Sequence, residues 1–142
     1  MSIKSLNPYL HFNGTAGKAI QLYEKALGAK TQSIRHYGDL PGNEQCAADK
    51  DRVMHAHLLL GEWVIMISDV PSNRPVPLEG NMQVMLEFDD EAELTQKFNA
   101  LAEGGQVLMP VANTFWGAKF GMLTDAYGMS WMFSCSLAKS QS

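Results

Sequence analysis

The chain has 142 residues, with 11 Lys and Arg against 15 Asp and Glu, and a formal net charge of −4. This length predicts one domain, and the acidic balance excludes the basic surface that a nucleic-acid partner requires. The longest apolar run, at 58–60 and 63–67, is far shorter than the roughly 20 residues that span a bilayer, so we expect no membrane partner.

The first residues of the chain and the number of its cysteines indicate in which cellular compartment the protein is expected. No charged-then-apolar leader opens the sequence, and the two cysteines, Cys46 and Cys135, are far apart. Cys46 falls in a polar loop and Cys135 in an apolar strand. We therefore expect two reduced thiols in a cytoplasmic protein.

Glycine, asparagine and proline divide the first half of the chain into short elements. Apolar residues recur at helical spacing from Ala16 to Leu27, and Gly28 supplies the stop. Gly61 and Glu62 separate two apolar runs and predict a hairpin. The predicted elements are a strand at 6–12, a helix at 16–27, a strand at 29–37, a loop at 38–52 and hairpin strands at 53–60 and 63–68.

The same order of elements returns after a proline-containing connector at about 70–80. The predicted elements are a strand at 82–88, a helix at 90–103, a strand at 106–111 and two strands within FWGAKFGMLTDAYGMSWMF, residues 115–133. Within this last segment, Asp125 predicts a side-chain turn before the closing strand, and strand alternation turns Trp131 toward the core.

Subtraction of residue numbers supports an internal repeat. Phe12 and Phe88 are 76 residues apart, as are Gly28 and Gly104. The turn glycines Gly61 and Gly128 are only 67 residues apart. This offset is nine smaller than 76, as expected if the loop at 38–52 makes the first half longer. The sequence therefore predicts an α+β fold in a single domain, 1–142, with two βαβββ modules at about 5–69 and 81–136.

Several sequence blocks, which together cover about 6–134, are typical of one family: LYEKALGA, HAHLLLGEWVIMISD and ALAEGG, followed by FW, FG and TDAYGMSWM. They resemble the PhnB-like branch of the glyoxalase/bleomycin-resistance (vicinal-oxygen-chelate) superfamily. The resemblance implies a cupped mixed sheet with the helices outside and a pocket inside, and a homodimer. Proteins of this branch often carry a demethylubiquinone methyltransferase name. One class of methyltransferase binds S-adenosylmethionine at a Gly-rich loop between a strand and a helix, and this sequence lacks such a loop.

The resemblance also implies four metal positions, one on the first and one on the last strand of each module, and all four face the pocket. Carried over to this chain, these positions hold Asn7, Ile65, Gln83 and Met132. An aliphatic side chain and a thioether are not ligands for Zn²⁺, Ni²⁺ or Mn²⁺. We therefore expect no metal cofactor at these positions, while a divalent metal remains possible at displaced residues.

Strand alternation adds side chains to the predicted pocket. If Asn7 and Gln83 face the pocket, four further residues do so too: Tyr9, His11, Met85 and Glu87. His11 and Glu87 are 76 apart and occupy equivalent positions, so they are candidates for a general base and its orienting carboxylate. The alternative is a hydrogen-bonded polar pair without a catalytic role.

Two further pairs of residues are candidates for function. His55 and His57 are two apart on one predicted strand and project from one face, so they are candidate metal ligands together with Gln83. Alternatively they hydrogen-bond to neighbouring strands or to Asp69. Phe115 and Trp116 precede a glycine-containing strand, where they form either an aromatic lip over the pocket or part of a dimer interface.

Two functions stay open from the sequence. The first is a small-molecule-binding protein without the superfamily's metal, and the negative charge would suit a cationic ligand. The alternative is a divalent-metal-dependent lyase, isomerase or dioxygenase that uses displaced ligands among His11, Gln83, Glu87 and the histidine pair. Only the enzyme requires at least three oxygen or nitrogen ligands that converge on one point.

Overall fold

The computed structural model describes residues 2–39, 49–77 and 80–137, so Cys46 lies outside the described residues. Over these ranges the chain forms eight strands and two α-helices, with a 3₁₀ turn at Tyr37–Asp39. The elements are β1 (Tyr9–Phe12), α1 (Ala16–Leu27), β2 (Lys30–His36), β3 (Val53–Leu60), β4 (Trp63–Asp69), β5 (Val84–Phe88), α2 (Glu91–Leu101), β6 (Gln106–Asn113), β7 (Ala118–Thr124) and β8 (Ser130–Ser136).

The chain divides into two compact units, Met1–Pro77 and Leu78–Ser142, and each contains one βαβββ module. The strand order is β1-β4-β3-β2 in the first sheet and β5-β8-β7-β6 in the second. In both sheets the first strand of the module lies parallel to the last, and the other neighbours are antiparallel. The predicted α+β fold of two βαβββ modules is confirmed.

Three strand boundaries differ from the prediction for physical reasons. β1 begins at Tyr9 instead of residue 6, because Pro8 has no N–H to donate to the ladder and contributes only its carbonyl, to Met66 N. β5 begins at Val84 instead of residue 82, because its pairing with β8 starts at Val84 and Trp131. β6 runs on to Asn113 through Pro110, which an edge strand tolerates where its register shifts.

Each helix covers one face of its own sheet. α1 packs against β2, β3 and β4, and α2 against β5 and β8. The side chains on these covered faces are buried, among them Leu58 and Ile67 in the first unit and Trp131 and Phe133 in the second. Trp131 is 0% exposed, so its predicted core position is confirmed. We call the opposite side of each sheet its helix-free face.

A buried carboxylate organises the turns in each unit. Asp69, at the end of β4, accepts hydrogen bonds from Gly14 N (2.8 Å), Ala16 N (2.9 Å) and Val53 N (3.0 Å). It therefore caps α1, where Thr15 makes no side-chain cap, and it is not the histidine partner that the sequence allowed.

In the second unit Asp125 organises the hairpin turn before β8. It accepts from Tyr127 N (2.9 Å), Met129 N (3.1 Å) and the Trp131 indole N–H (2.9 Å). The predicted side-chain turn at Asp125 is thus present, and it ties the hairpin to the core.

Candidate functional site

Equivalent rows of side chains cross the helix-free face of each sheet. In the first sheet Tyr9 pairs with Met66, which pairs with His57. In the second sheet Met85 pairs with Met132, which pairs with Met122. Paired residues project to the same side, and neighbouring strands lie roughly 4.8 Å apart, so the side chains of each row are adjacent. The first row places Tyr9 and His57 on either side of the Met66 thioether, whereas the second consists of three thioethers.

Tyr9 and His57 of the first row belong to a connected group that we call the Tyr9–histidine cluster. Its members are Tyr9, His11, His55 and His57. The Tyr9 ring stacks on His11 with centroids 4.7 Å apart, and Tyr9 Oη lies 2.7 Å from His55 Nδ1. His55 Nε2 lies 2.9 Å from His57 Nε2, and His11 Nδ1 lies 3.0 Å from the Ser68 hydroxyl. The structure thus joins residues that the sequence divided into two separate sets.

The hydrogen bonds of the cluster constrain its protons. If Tyr9 donates its hydroxyl proton to His55 Nδ1, then His55 carries a proton on Nε2 and donates it to His57. The reverse direction is equally consistent, with His57 donating to His55 and His55 to the Tyr9 oxygen. In both arrangements one proton lies between the two imidazoles, because two N–H groups cannot face each other at 2.9 Å.

Burial lowers the pKa of His55 from its usual value, and the neighbouring charge of His57 lowers this pKa further. The unfolded chain therefore binds the proton more readily than the folded chain. The contribution of His55 to stability is present above its unfolded pKa, about 6.5, and is lost as the pH falls through the folded pKa.

In an NMR titration of the metal-free protein, we expect the His55 ring to titrate below pH 6.5. His57→Gln should move that midpoint upward, because it removes the neighbouring charge but leaves the partial burial of His55 unchanged. The Cε1–H resonance of His55 reports both midpoints, and His36→Gln serves as the matched control. A His55 midpoint that His57→Gln leaves unchanged would contradict the coupling of the two rings.

The second row continues into an apolar strip, which we define as Met85, Met132, Met122, Phe120 and Trp116. Phe120 lies two residues along β7 from Met122, and its ring centroid is 5.9 Å from that of Trp116. Met85 is 47% exposed and Trp116 57% exposed, so the strip is accessible at both ends. Phe115 makes an edge contact with Trp116 at 5.0 Å in the turn before β7.

A polar edge borders the apolar strip. Glu87 lies two residues after Met85 on β5, is exposed, and pairs with Ser134 of β8. Ser134 in turn pairs with Phe120. A carboxylate and a hydroxyl therefore share the helix-free face with the thioethers and the aromatic rings.

One predicted pocket residue, Ile65, was placed wrongly. Ile65 is 3% exposed and lies on the helix-covered face with Ile67, whereas Met66 lies beside Tyr9. The turn between β3 and β4 has two residues, but the turn between β7 and β8 has five, so counting from the glycines shifts the register by one. A slip of one residue reverses the face of a strand, and Met66 is the true equivalent of Met132.

The four metal positions implied by the superfamily do not fit a hard or borderline divalent cation. Asn7 donates its amide N–H to the Val64 carbonyl (3.2 Å), and Gln83 lies exposed before β5. The closing strands offer the thioethers of Met66 and Met132, and such cations prefer imidazole, carboxylate or amide oxygen. Within 2–39, 49–77 and 80–137, no three His, Cys, Asp or Glu side chains gather as a metal-binding group.

The His11–Glu87 pair, the Cys135 thiol and one surface depression complete the candidates. His11 belongs to the first unit and Glu87 to the second, and their pairing stays a prediction. Cys135 is a buried free thiol, and burial together with the charges of nearby carboxylates, Glu91 foremost, raises its pKa, so it is a poor nucleophile. A depression of about 390 Å³ shares no residue with either row and is lined by His36, Gly38, Asp39, Lys50 and Asp51.

Comparison with known proteins identifies the class. Residues 5–133 match the model of the Glyoxalase/Bleomycin resistance protein/Dioxygenase superfamily, and the chain belongs to that superfamily. Protein YjdN of Escherichia coli (strain K12) is 29% identical over 138 residues, which cover 91% of this chain and 93% of YjdN.

Two solved structures share both sequence and fold with the chain. Protein PA1353 from Pseudomonas aeruginosa is 40% identical with a TM-score of 0.85, over 94% of this chain and 98% of that one. A PhnB protein from Bacillus cereus is 28% identical with a TM-score of 0.79, over 94% and 100%. Together with YjdN they support the PhnB-like branch. Neither helix of the described chain is long and apolar enough to cross a membrane.

Proposed function

We propose that the chain is a small-molecule-binding protein that holds its ligand on the helix-free face of the second module, without the superfamily's four-ligand metal site. The observation that carries the proposal is the row of Met85, Met132 and Met122, in which Met132 holds a thioether at a position where the resemblance implies a metal ligand. Proteins of this superfamily bind small molecules. Methionine side chains adapt their shape to apolar ligands, so the row supports binding better than coordination.

The residues around the row indicate the chemistry of the ligand. Trp116, beside the row, and Phe115 offer aromatic surface for a planar apolar body. Glu87 offers a carboxylate at the border of the strip, which favours a positively charged ligand. The formal net charge of −4 also attracts cations. The proposed ligand is therefore an aromatic or extended apolar cation.

The proposal includes a homodimer in the cytoplasm and a single domain formed by the two modules. It does not include the activity in the name of the Bacillus cereus relative, a 3-demethylubiquinone-9 3-methyltransferase. The present chain lacks the Gly-rich loop between a strand and a helix that methyltransferases of the S-adenosylmethionine-binding kind use.

A second candidate function rests on the Tyr9–histidine cluster. Hydrogen bonds connect Tyr9 to His55 and His55 to His57, and such a chain can transfer protons in an enzyme. The enzyme would be a divalent-metal-dependent lyase, isomerase or dioxygenase. In that case His11 and Glu87 remain the catalytic candidates, and Gln83 with the two histidines the metal candidates. The two functions differ in whether Tyr9, His55 and His57 are essential.

Probe binding tests the preferred function. Rhodamine 6G, a cationic aromatic dye, should bind saturably by fluorescence anisotropy, and 8-anilinonaphthalene-1-sulfonate, an anionic dye, should bind more weakly. Met122→Gln and Met132→Gln keep the side-chain size but add a polar amide, and each should weaken rhodamine 6G binding by about fivefold, which corresponds to about 1 kcal/mol.

The charge of Glu87 has a matched control. Glu87→Gln should weaken binding of rhodamine 6G but not of the anionic dye, whereas Glu103→Gln, an exposed residue just after α2, should change neither. The proposed site would be contradicted if the wild-type protein bound neither dye saturably. It would also be contradicted if all variants bound rhodamine 6G with the affinity of the wild type.

A further inference from the structure

The Nε2 atoms of His55 and His57 are neighbours on the helix-free face of the first sheet. They are two residues apart on β3, so both project to the helix-free face, and their Nε2 atoms lie 2.9 Å apart. Both side chains are only partly buried, so solvent or a ligand reaches the pair.

The separation of these nitrogens fits one metal coordination angle. With metal–nitrogen bonds of about 2.05 Å, two nitrogens 2.9 Å apart subtend an angle of about 90° at the metal. This is the angle between neighbouring ligands in square-planar and tetragonal complexes, which Cu²⁺ and Ni²⁺ prefer. A tetrahedral angle would require the nitrogens to lie about 3.3 Å apart.

Tyr9 supplies the outer contact that such a ligand needs. Its hydroxyl oxygen lies 2.7 Å from His55 Nδ1 and accepts a hydrogen bond when that nitrogen carries the proton. The lone pair of His55 Nε2 then accepts the proton of His57 Nε2, and a metal ion replaces that proton when His57 shifts it to Nδ1. The Tyr9 contact holds the His55 ring in place. Metal-bound histidines nearly always make such a contact through the second nitrogen.

The charges and donors around the pair are mixed. Met66 pairs with His57 on the same face and places a soft thioether beside it, whereas Arg35 pairs with His55 from β2 and opposes a cation. The pair lies on β3 and shares no residue with the four positions of the superfamily's metal site.

We propose that His55 and His57 form a two-imidazole site for one tetragonal divalent transition-metal ion, Cu²⁺ ahead of Ni²⁺, with Tyr9 as the positioning residue of His55. Water or a small-molecule ligand fills the other coordination positions. The site lies in the first module and shares no side chain with the ligand site proposed for the second.

Copper titration of the untagged, chelator-treated protein tests the proposal. Calorimetry in a non-coordinating buffer should show one Cu²⁺ per chain. The paramagnetic resonance spectrum should be axial, and its pulsed form should detect two imidazoles on the copper. Because the wild-type spectrum alone counts the imidazoles, the test does not depend on the folding of any variant.

Variants then assign the ligands. His55→Gln and His57→Gln should each lower the Cu²⁺ affinity at least tenfold and leave one imidazole in the spectrum, whereas His11→Gln and His36→Gln should keep both. Tyr9→Phe should weaken Cu²⁺ binding about tenfold with both imidazoles retained, because it removes only the outer contact. Fewer than two imidazoles on copper in the wild-type protein, or an affinity unchanged in both His55→Gln and His57→Gln, would overturn the proposal.

Discussion

Replacement of Asp69 by Asn is expected to lower the free energy of unfolding by about 3 kcal/mol. The carboxylate is 2% exposed and accepts three backbone hydrogen bonds that join the end of β4 to the start of α1 and the start of β3. An amide keeps one oxygen, but its NH₂ group then faces the N–H of Val53 or those of Gly14 and Ala16. At least one buried donor loses its partner, and the charge that strengthens the other bonds is removed.

Chemical denaturation measures this loss against a matched exposed residue. Asp51→Asn changes the same group at an exposed turn position and should alter the free energy of unfolding by less than about 0.5 kcal/mol. Asp125→Asn should resemble Asp69→Asn, since the Asp125 carboxylate is 3% exposed and also accepts three hydrogen bonds. Similar unfolding midpoints for Asp69→Asn and Asp51→Asn would contradict the capping role of Asp69.

Replacement of Gly105 by Ala is expected to destabilise the second module by about 3 kcal/mol. A Cβ atom at this position would overlap the carbonyl oxygen of Thr124 and lie 2.8 Å from the carbonyl carbon of Asp125. Both obstacles are backbone atoms at the turn that Asp125 organises, so a side-chain rotation cannot relieve the overlap. Either the start of β6 or the hairpin must move.

Gly17→Ala is the matched control with the opposite sign. Gly17 lies in α1, and a Cβ atom there would meet nothing within 4 Å. Alanine should therefore stabilise the helix by up to about 1 kcal/mol. Thermal unfolding of both variants gives the comparison, and a Gly105→Ala protein as stable as the wild type would contradict the close approach of β6 to the hairpin.

Short-range patterns predicted the elements well. The amphipathic spacing of 16–27 and the stop at Gly28 gave the bounds of α1, because the helix buries one stripe and Gly28 adopts a left-handed conformation, with φ at 74°. The offset of 76 between Phe12 and Phe88 also gave equivalent strand positions, as the pairing of β1 with β4 and of β5 with β8 shows.

Strand register could not be predicted in the same way. Ile65 was placed on the wrong face because turn length, and not the position of the turn glycine, sets the register of a hairpin. The contact of Tyr9 with His55 crosses β4, and no sequence spacing encodes it. The row of Met85, Met132 and Met122 had a signal in the nine methionines of the chain, but only the strand pairing brings these three together.

The most direct test of the proposed function is an NMR titration of protein labelled with ¹³C at the methionine methyl groups. As rhodamine 6G is added, we predict that the methyl resonances of Met85, Met122 and Met132 shift together and saturate with one affinity. Met54, on β3 in the first unit, is the internal control and should stay in place. Saturable dye binding that leaves the three resonances of the row unmoved would contradict a ligand site on the helix-free face of the second module.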